Sequence, residues 1–396
     1  MGKRILILAG SPFQMPLIER ARRAGHYVIT CDYLPSNPGH AIADEYHNVS
    51  TTDKEAVLRL ARDLRVDAVT SMSTDPAVPV LAYVTDALGL PGPNADAVCA
   101  LTEKDRFRAL LSRIDLNAPE YFVVETDAVP SALEAAPGNY VVKPIDSSGS
   151  KGVTFCGSER ARMTAAIRLA LQHSRAGRCI IEEYIEGHQV HGDGYLTDGM
   201  LVHSYLGDHV FYTRTSSFIP VSTRWPCSLD GHVLAEISRQ VEAICNAAGY
   251  RHGPVNIEAR ITPDDRVYIV EVGPRNGGNF VPIIQHALTG FDFVGRILAD
   301  ALDVPYSDGE TNGSEKVGAY HVLHAERQGR YAGVSISDEA RRHVFFSSIF
   351  RKEGEQVERF VGSNATVGVF LLRFDSVSQR DRVMDRAAQH FRLEMG

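Results

Sequence analysis

The sequence predicts a multidomain protein with an α/β layer at its N-terminus and mixed α+β structure after it. In the first hundred residues, short apolar runs alternate with amphipathic segments, as in a doubly wound layer of parallel strands and helices. From about residue 120 the strand-like runs follow one another closely, which is typical of antiparallel sheets. The length of 396 residues also exceeds the ~150 residues expected of one domain.

The N-terminal layer is predicted element by element. RILILAG, from Arg4, is a continuous apolar run ending in glycine, typical of a buried parallel strand. There follow, in order, the helix PLIERARRAG, the strand YVITCDY, the helix KEAVLRLARDLRV, the strand DAVTSMS and the helix PAVPVLAYVTDALG. The Pro/Gly-rich passage LPGPNADAV then marks a domain joint. We therefore place the first domain at residues 1–95.

The first turn argues against dinucleotide binding. Gly10 is the one glycine of a G-x-G-x-x-G pattern that is present, and Pro12 and Phe13 stand where the backbone would approach a pyrophosphate. Asp32 ends the second strand where a ribose-binding acid would lie, but one acidic residue is weak evidence. NAD is therefore not the expected ligand of this domain.

The rest of the chain predicts two further units. A helix TEKDRFRALLSRI, opened by Thr102, precedes the strands EYFVV, YVVKP and GVTFC, the helix RARMTAAIRLALQHS and the strand CIIEEYI. Further strands, the long helix DGHVLAEISRQVEAICNAAG and a hairpin after Pro254 follow. We place the second domain at residues 96–305 and a C-terminal α+β domain, with a last helix near SQRDRVMDRAAQHF, at 306–396.

Composition excludes several classes of protein. The net charge of -8 disfavours nucleic acid as a partner, and no apolar run approaches the ~20 residues of a membrane span. The N-terminal apolar run is interpreted as a first strand rather than a signal peptide. The 6 cysteines are scattered without a C-x-x-C pair, which argues against a zinc site or a disulfide framework. We therefore expect a cytoplasmic protein.

The hairpin NIEARITPDDRVYIVEVGPRNGG carries the strongest chemical signal. Pro263 followed by two aspartates indicates a turn, and we place its centre between Asp264 and Asp265. Residues equally distant from that centre face each other, so Glu258 falls opposite Glu271, with Cβ atoms ~5 Å apart. Two facing carboxylates repel each other unless a dication binds both, so this geometry predicts a Mg²⁺ or Mn²⁺ site.

Alternatives to the metal site remain open. Both glutamates could be solvated on edge strands, or the register could differ by one residue, and an odd loop length would separate the pair. Arg260 shares the face of Glu258 and is expected either to bind a substrate carboxylate or to form a surface ion pair.

The loop after the strand YVVKP predicts a lid over phosphate. KPIDSSGSKGV lacks the pattern of a P-loop and is not followed by a helix. It connects two strands, and its small residues would let backbone N–H groups close over phosphate oxygens beside Lys143. A solvated Ser/Gly hairpin loop is the alternative. Together with the strand end EEYI and the hairpin, the lid favours a nucleoside triphosphate with Mg²⁺.

In their order along the chain, these motifs resemble those of the ATP-grasp superfamily, in its biotin-carboxylase-like branch of carboxylate–amine and carboxylate–thiol ligases. The motifs are LTEKDRFRALL, YVVKPIDSSGSKGV, IIEEYIEGHQV and the glutamate hairpin. The resemblance implies a Rossmann-like preATP-grasp domain, then an ATP-grasp domain whose two α+β subdomains clasp ATP. Residues of about 120–185 would form the lid subdomain, and the C-terminal domain would complete the module.

The resemblance also implies which residues bind ATP. The implied contacts are Lys104, Lys143, Ser147, Ser148, Gly149, Gly152, Glu182, Glu183, Tyr184, Ile185 and Gln189. In this scheme Lys104 contacts the α-phosphate, Lys143 bridges the α- and β-phosphates, and Glu182 accepts from the adenine amino group.

Metal, catalytic and substrate roles are implied in the same way. Glu258 and Glu271 would hold Mg²⁺ or Mn²⁺, and Arg275 and Lys143 would be catalytic. The implied substrate contacts are Arg260, Arg275, Asn276, Gly278 and His209.

Two positions depart from the family pattern. Gln189 stands where the family often has a glutamate for the ribose hydroxyls, and Gly273 replaces the asparagine of E-x-N-x-R. Asn276 or Asn279 could replace that asparagine, so the sequence leaves open whether one or two metal ions bind.

The sequence pattern gives less support for a functional role of several other residues. His188, His191 and Asp193 could be metal ligands, but a structural or nucleotide contact is preferred. His209, Arg214 and Arg224 lie in a segment that resembles the variable substrate region of the family.

The predicted function is an ATP-dependent ligase that activates a small carboxylate as an acyl-phosphate and joins it to an amine of an amino acid or related metabolite. A formate- or bicarbonate-activating enzyme of the purine-synthesis type is one alternative. A non-catalytic ATP-binding protein is another, suggested by Gln189 and Gly273. Small-molecule substrates are expected as partners, with a homodimer possible and neither nucleic acid nor membrane.

Overall fold

The computed structural model describes residues 2–134, 138–212, 218–307 and 316–396. Its N-terminal layer is a parallel sheet in the order β3-β2-β1-β4. The strands are β1 (Arg4–Leu8), β2 (Tyr27–Cys31), β3 (Glu45–His47) and β4 (Ala68–Thr70). The helices are α1 (Met15–Arg23), α2 (Pro38–Ile42), α3 (Lys54–Asp63) and α4 (Val78–Leu88). The predicted doubly wound layer is confirmed, with α2 and β3 as additions.

Alternation along β1 explains why this sheet is covered on both faces. Ile5 and Ile7 pack into one hydrophobic cluster and Leu6 and Leu8 into another. The first cluster also contains Phe293, from a helix late in the chain, so the N-terminal layer packs directly on the domain that follows.

Two short helices follow the joint, where one was predicted. α5 (Ala95–Thr102) ends as Thr102 donates its hydroxyl proton to the carbonyl of Val98, and α6 (Lys104–Arg113) begins after the extended residue Glu103. Thr102 therefore closes the first helix rather than opening the second. The break turns the chain so that Lys104 and Arg108 point along one face of α6.

A small antiparallel sheet forms the predicted lid subdomain, in the order β5-β8-β6-β7. Its elements are β5 (Tyr121–Val124), α7 (Ser131–Glu134), β6 (Asn139–Pro144), β7 (Thr154–Gly157), α8 (Arg160–His173) and β8 (Cys179–Glu183). α8 covers one face, with Met163 and Ile167 packed against Val142 and Ile181.

The largest sheet has eight strands in the order β13-β12-β9-β10-β11-β14-β18-β16. Its strands are β9 (His188–Thr197), β10 (Met200–Tyr212), β11 (Ile219–Trp225), β12 (Gly253–Ile261), β13 (Val267–Gly273), β14 (Val317–His324), β16 (Val344–Ile349) and β18 (Thr366–Phe374). This sheet is contacted by the helices α9 (Gly231–Ala248), α10 (Val281–Thr289) and α11 (Phe293–Ala301).

The C-terminal segment adds to this sheet rather than standing apart. β11 pairs with β14 along Ser222–Trp225, so the ladder crosses the predicted boundary at residues 305 and 306. The remaining elements are β15 (Gly329–Ile336), α12 (Asp338–Arg341), β17 (Gln356–Val357), α13 (Val377–Met384), α14 (Ala387–His390) and β19 (Phe391–Met395). The last predicted helix is thus divided in two, and Phe391 begins a strand. No helix among the described residues is long and apolar enough to cross a membrane.

Candidate active site

A cavity of about 1300 Å³ lies where the N-terminal layer, the lid sheet and the eight-stranded sheet meet. It collects sixteen of the predicted site residues, namely Lys104, Lys143, Ser147, Ser148, Gly149, Glu182, Glu183, Tyr184, Ile185, Gln189, His209, Glu258, Arg260, Glu271, Arg275 and Gly278. Gly152 and Asn276 do not line it. Gly152 packs against His173 and Pro144, and Asn276 is fully buried.

The two glutamates of the hairpin face each other across β12 and β13. Glu258 pairs with Glu271 as the sequence predicts, and Asn256 pairs with Gly273 two residues farther from the turn. The loop between the strands is nevertheless odd, from residue 262 to 266, which by itself would separate the pair. A β-bulge between Glu258 and Ala259 restores the register.

The electrostatics of this pair suit a cation. Burial and the neighbouring Glu271 raise the pKa of Glu258 to about 7, against the opposing effect of Arg275. Gln189 donates from Nε2 to Oε2 of Glu258 at 3.2 Å. Because the donors converging here are carboxylate oxygens, the site fits a hard dication such as Mg²⁺.

Arg275 is held in the same part of the cavity. Its Nε donates to Oδ1 of Asp75 at 2.5 Å, its Nη1 donates to the carbonyl of Asn276, and its Nη2 lies 3.9 Å from Oε1 of Glu271. Burial alone would lower its pKa, but Asp75 and Glu271 raise it above the ordinary value. The N-terminal layer therefore supplies Asp75, which orients this guanidinium.

A buried ion cluster lies at the root of the lid. Lys143 donates to Oε2 of Glu182 at 2.6 Å, and Arg108 donates from Nε to Oε1 at 2.9 Å. Burial opposes ionisation of Glu182, but Arg108 and Lys143 outweigh it and lower the pKa of this carboxyl to about 2. Burial lowers the pKa of Lys143, in opposition to Glu182. Both carboxylate oxygens thus already accept from cations, so a hydrogen bond to adenine would compete with them.

The predicted lid loop connects β6 and β7. Gly149, Ser150 and Gly152 all have positive φ, at +68°, +59° and +71°, which explains the glycine-rich sequence. Lys104 reaches the loop through Nζ, which donates to the carbonyl of Ser147 at 2.9 Å. The loop is pinned by Ser150, whose hydroxyl donates to the carbonyl of Phe218 at 2.6 Å.

An aromatic platform lines the cavity next to this loop. Tyr184 and Phe218 are stacked with ring centroids 5.5 Å apart, and the Arg260 guanidinium lies over Tyr184 at 4.5 Å. Arg260 also donates to the carbonyl of Ile185 at 2.9 Å. Arg260 is therefore engaged by the aromatic platform and a backbone carbonyl rather than by the surface ion pair considered from the sequence.

Two stacked histidines line the cavity next to the glutamates. His191 pairs with Glu258 across the sheet, and its ring stacks on His209 with centroids 4.4 Å apart. His191 uses both ring nitrogens, with Thr223 and Asn256. Burial, followed by Arg275, lowers its pKa to about 3.

The metal site considered for His188, His191 and Asp193 is not formed. Strand alternation points His188 away from the other two, and its Nε2 contacts Asp208 at 2.8 Å. Asp193 is fully buried and accepts from the backbone N–H of Gly277 at 2.7 Å. Arg214, which the sequence also singled out, lies outside the described residues.

The structure shows the surroundings of Gly273, which departs from the family motif, and of the two asparagines that could compensate for it. A Cβ at Gly273 would lie 3.5 Å from Arg275 and 3.6 Å from Glu271, which is ordinary contact. Asn276 cannot compensate there, because its Nδ2 donates to Asp193 at 3.2 Å on the buried side. Asn279 does line the cavity and is the better placed of the two candidates.

Two site residues were not found from the sequence, and a third was assigned another role. Arg108 follows Lys104 by one helical turn, so it shares the same face and could have been suspected. Asp75 comes from another domain, and His191 was considered as a metal ligand, so neither role had a local signal.

Comparison with known proteins agrees with this geometry. Residues 136–282 match the model of the ATP-grasp domain. Carnosine synthase 1 of Gallus gallus is 26% identical over 340 residues, which cover 77% of this chain and 36% of that protein. Formate-dependent phosphoribosylglycinamide formyltransferase of Rhodococcus jostii is 26% identical over 309 residues, 74% of each chain. L-amino acid ligase from Bacillus licheniformis superposes with a TM-score of 0.84 at 20% identity, over 100% of this chain and 99% of that one.

Residues 136–282 thus contain an ATP-grasp domain, and the fold of the whole chain is similar to that of a solved ligase. The predicted resemblance to ATP-grasp enzymes is confirmed, with residues 136–282 as the part of the chain that matches the domain model. The chain spans about a third of the length of the carnosine synthase that it matches, so its own substrates are a separate question.

Proposed function

We propose that this chain activates a small carboxylate as an acyl-phosphate at the expense of ATP and joins it to the amine of an amino acid or related metabolite. One observation carries the proposal. A single cavity brings together the facing pair Glu258 and Glu271, the guanidinium of Arg275 and the ammonium of Lys143. Two acids that can hold a dication and two cations in one cavity supply the positioning and charge stabilisation that transfer of a phosphoryl group from ATP requires.

ATP is proposed to lie across the cavity from the aromatic platform to the glutamates. The base would lie beside Tyr184 and the backbone of Glu183 and Ile185, which line the cavity at its wall between the lid sheet and the eight-stranded sheet. Gln189 neighbours Glu258 and would hydrogen-bond the ribose hydroxyls with its amide. The triphosphate would then extend toward Lys143 and the loop at Gly149.

Glu258 and Glu271 would hold Mg²⁺. Two carboxylates that face each other are unfavourable without a cation, as the raised pKa of Glu258 indicates. When bound, the ion supplies charge neutralisation to phosphate oxygens. Asn279 is the available oxygen donor if a second ion binds.

The residues of this chain would act by positioning and by charge. Arg275 would present a bidentate fork to the γ-phosphate and to the substrate carboxylate, and Asp75 would keep that fork oriented. A carboxylate oxygen of the substrate attacks the γ-phosphorus, and the bond to ADP breaks. The amine then attacks the acyl carbon, phosphate leaves, and one proton from the amine is released. The lid excludes water, which would otherwise hydrolyse the acyl-phosphate.

The non-catalytic alternative has weak support in the geometry. Gly273 leaves Glu271 and Arg275 in place, and Gln189 contributes a hydrogen bond to Glu258. The formate-activating alternative is favoured by one observation, the similarity to the formyltransferase of Rhodococcus jostii over 74% of each chain.

Phosphate release measured over pairs of amino acids, with separate reactions containing formate or bicarbonate, tests the proposal. ADP and phosphate that form when both a carboxylate and an amine are present support the ligase. Dependence on formate or bicarbonate supports the alternative enzyme. Tight ATP binding without turnover in any reaction would contradict both.

A further inference from the structure

The cavity also contains a buried histidine whose ring nitrogens have no hydrogen-bond partner among the described residues. His209 on β10 is 8% exposed and lines the cavity. Neither Nδ1 nor Nε2 has a hydrogen-bond partner within the described part of the chain, although both are shielded from solvent. Because an unpaired buried polar group is costly, a bound molecule that pairs with these nitrogens is favoured.

The ring of His209 is held in a fixed orientation. His191 stacks on it with an interplanar angle of 20°, and Phe211 lies against it with centroids 4.5 Å apart. His191 is itself fixed by Thr223 at 2.9 Å and Asn256 at 2.9 Å. A rigid ring presents each of its nitrogens in a fixed direction, which is what selective recognition of a ligand requires.

His209 presents a neutral imidazole. Burial, followed by His191 and Arg260, lowers its pKa well below the ordinary value. A neutral imidazole offers one donor and one acceptor. Whichever nitrogen faces the ligand can therefore pair with an uncharged group that both accepts and donates, such as a carboxamide or a hydroxyl.

The register of the sheet places His209 within reach of a substrate at the glutamates. Glu258 pairs with His191 on β9, and His191 stacks on His209 of the next strand. Two strand spacings, ~10 Å, separate β12 from β10. A small molecule whose carboxylate lies near Arg275 can extend over His191 to reach His209.

The other residues that line the cavity further restrict the chemical class of ligand that His209 can bind. Phe211, Phe218 and Tyr320 line the same cavity and offer apolar surface. Arg260 is close enough to disfavour protonation of His209, and the same field disfavours a cationic ligand group.

We propose that His209 is a specificity-determining residue that hydrogen-bonds an uncharged polar side chain of the substrate. The cavity would accordingly take small amino acids with an amide or hydroxyl group in preference to aliphatic or cationic ones. This inference rests on the proposed function, because it assumes an amino acid or related metabolite as substrate.

Calorimetric titration of the full chain tests this inference without turnover. The probes are glutamine, serine, leucine and lysine, each added in the presence of Mg²⁺ and a non-hydrolysable ATP analogue. The variant His209→Phe keeps a ring that stacks on His191 but has no nitrogens, and His209→Gln keeps one donor and one acceptor. His321→Phe is the matched control, since His321 is buried in the same sheet but does not line the cavity.

The wild type is expected to bind glutamine or serine about tenfold more tightly than leucine or lysine, the ratio that one net hydrogen bond gives. His209→Phe should abolish that preference, and His209→Gln and His321→Phe should retain it. An unchanged preference in His209→Phe, or no binding of any probe to the wild type, would overturn the inference. If the inference fails, phosphate release with other carboxylates would show that the proposed ligase function still holds.

Discussion

Glu258 on β12 and Glu271 on β13 are cross-strand partners because Val270 is bulged out of the ladder beside them. The pairs Ile261–Val267 and Ala259–Ile269 are centred on residue 264 of the hairpin. The pair Glu258–Glu271 is centred half a residue later, so one residue of β13 has no partner between the two sets. The extra residue is Val270, whose carbonyl accepts from Nη2 of Arg108 at 3.0 Å. The bulge therefore aligns two carboxylates and at the same time connects the hairpin to α6.

Replacing one carboxylate of the pair tests the metal site. Glu271→Gln should lower Mg²⁺-dependent phosphate release at least ~100-fold, because a metal ligand is lost. Without Mg²⁺ the variant should be as stable as the wild type or up to ~1 kcal/mol more stable, since like charges no longer face each other. Asp264→Asn, on the exposed turn of the same hairpin, is the control. Full activity in Glu271→Gln would show that the metal assignment is wrong.

Arg108 should be necessary for both stability and nucleotide binding. Arg108→Lys retains a charge but cannot contact Glu182 and Val270 together, so it leaves a buried carboxylate partly unpaired. We expect a loss of ~3 kcal/mol in the free energy of unfolding, measured in urea, and weaker binding of the ATP analogue. Arg106→Lys, on the exposed side of α6, should change neither. Equal stability of the two variants would contradict the role given to the buried cluster.

Arg275 should affect turnover more than ATP binding. Arg275→Lys removes the bidentate fork and the hydrogen bond to Asp75, so kcat should fall ~100-fold, with a much smaller change in KM for ATP. Steady-state kinetics with the substrate pair found by phosphate release measures both constants. Arg266→Lys, at the exposed turn, is the control. A rise in KM alone would place Arg275 in nucleotide binding instead.

Two glycines with the same backbone conformation separate lid geometry from backbone strain. Gly149 and Gly177 have φ of +68° and +67°, but a Cβ on Gly149 would lie 2.7 Å from Oγ of Ser363, and one on Gly177 would meet nothing. Alanine at either position costs ~1 kcal/mol of strain. Gly149→Ala alone should also raise KM for ATP, because it displaces the lid from Ser363. Identical kinetics in the two variants would remove the lid contact from the mechanism.

Asp208 should contribute stability that acid removes. Burial opposes its ionisation, but hydrogen bonds from His188, Ser228 and Cys227 outweigh it and lower the pKa from 3.8 to about 2. A lowered pKa contributes stability above pH ~4, here ~2 kcal/mol, and that stability is lost as the pH falls through about 2. The difference in unfolding free energy between wild type and Asp208→Asn should therefore shrink from about pH 6 to about pH 2.5. A constant difference would refute the assignment, and Asp385→Asn, largely exposed, is the control.

Much of the site could be predicted from local patterns. Glu258 and Glu271 were aligned by counting from the turn, although the turn is one residue shorter than that count assumed and the bulge at Val270 compensates. The lid was predicted from the small residues around Gly149, whose positive φ requires them. The placement of Asn276 on the buried side, bonded to Asp193, had no such local signal.

The sequence by itself determined which elements form and which faces carry chemistry, because apolar periodicity, turn residues and motif order are local properties of the chain. Only the tertiary structure decided which of those faces meet. Asp75 contacts Arg275, which lies 200 positions later in the sequence, and Arg108 joins Glu182 to the bulge at Val270. The buried ring nitrogens of His209 have no hydrogen-bond partner in the part of the chain that the structure describes. These relations depend on the packing of separate sheets and on the desolvation that packing imposes, neither of which is encoded at any single position.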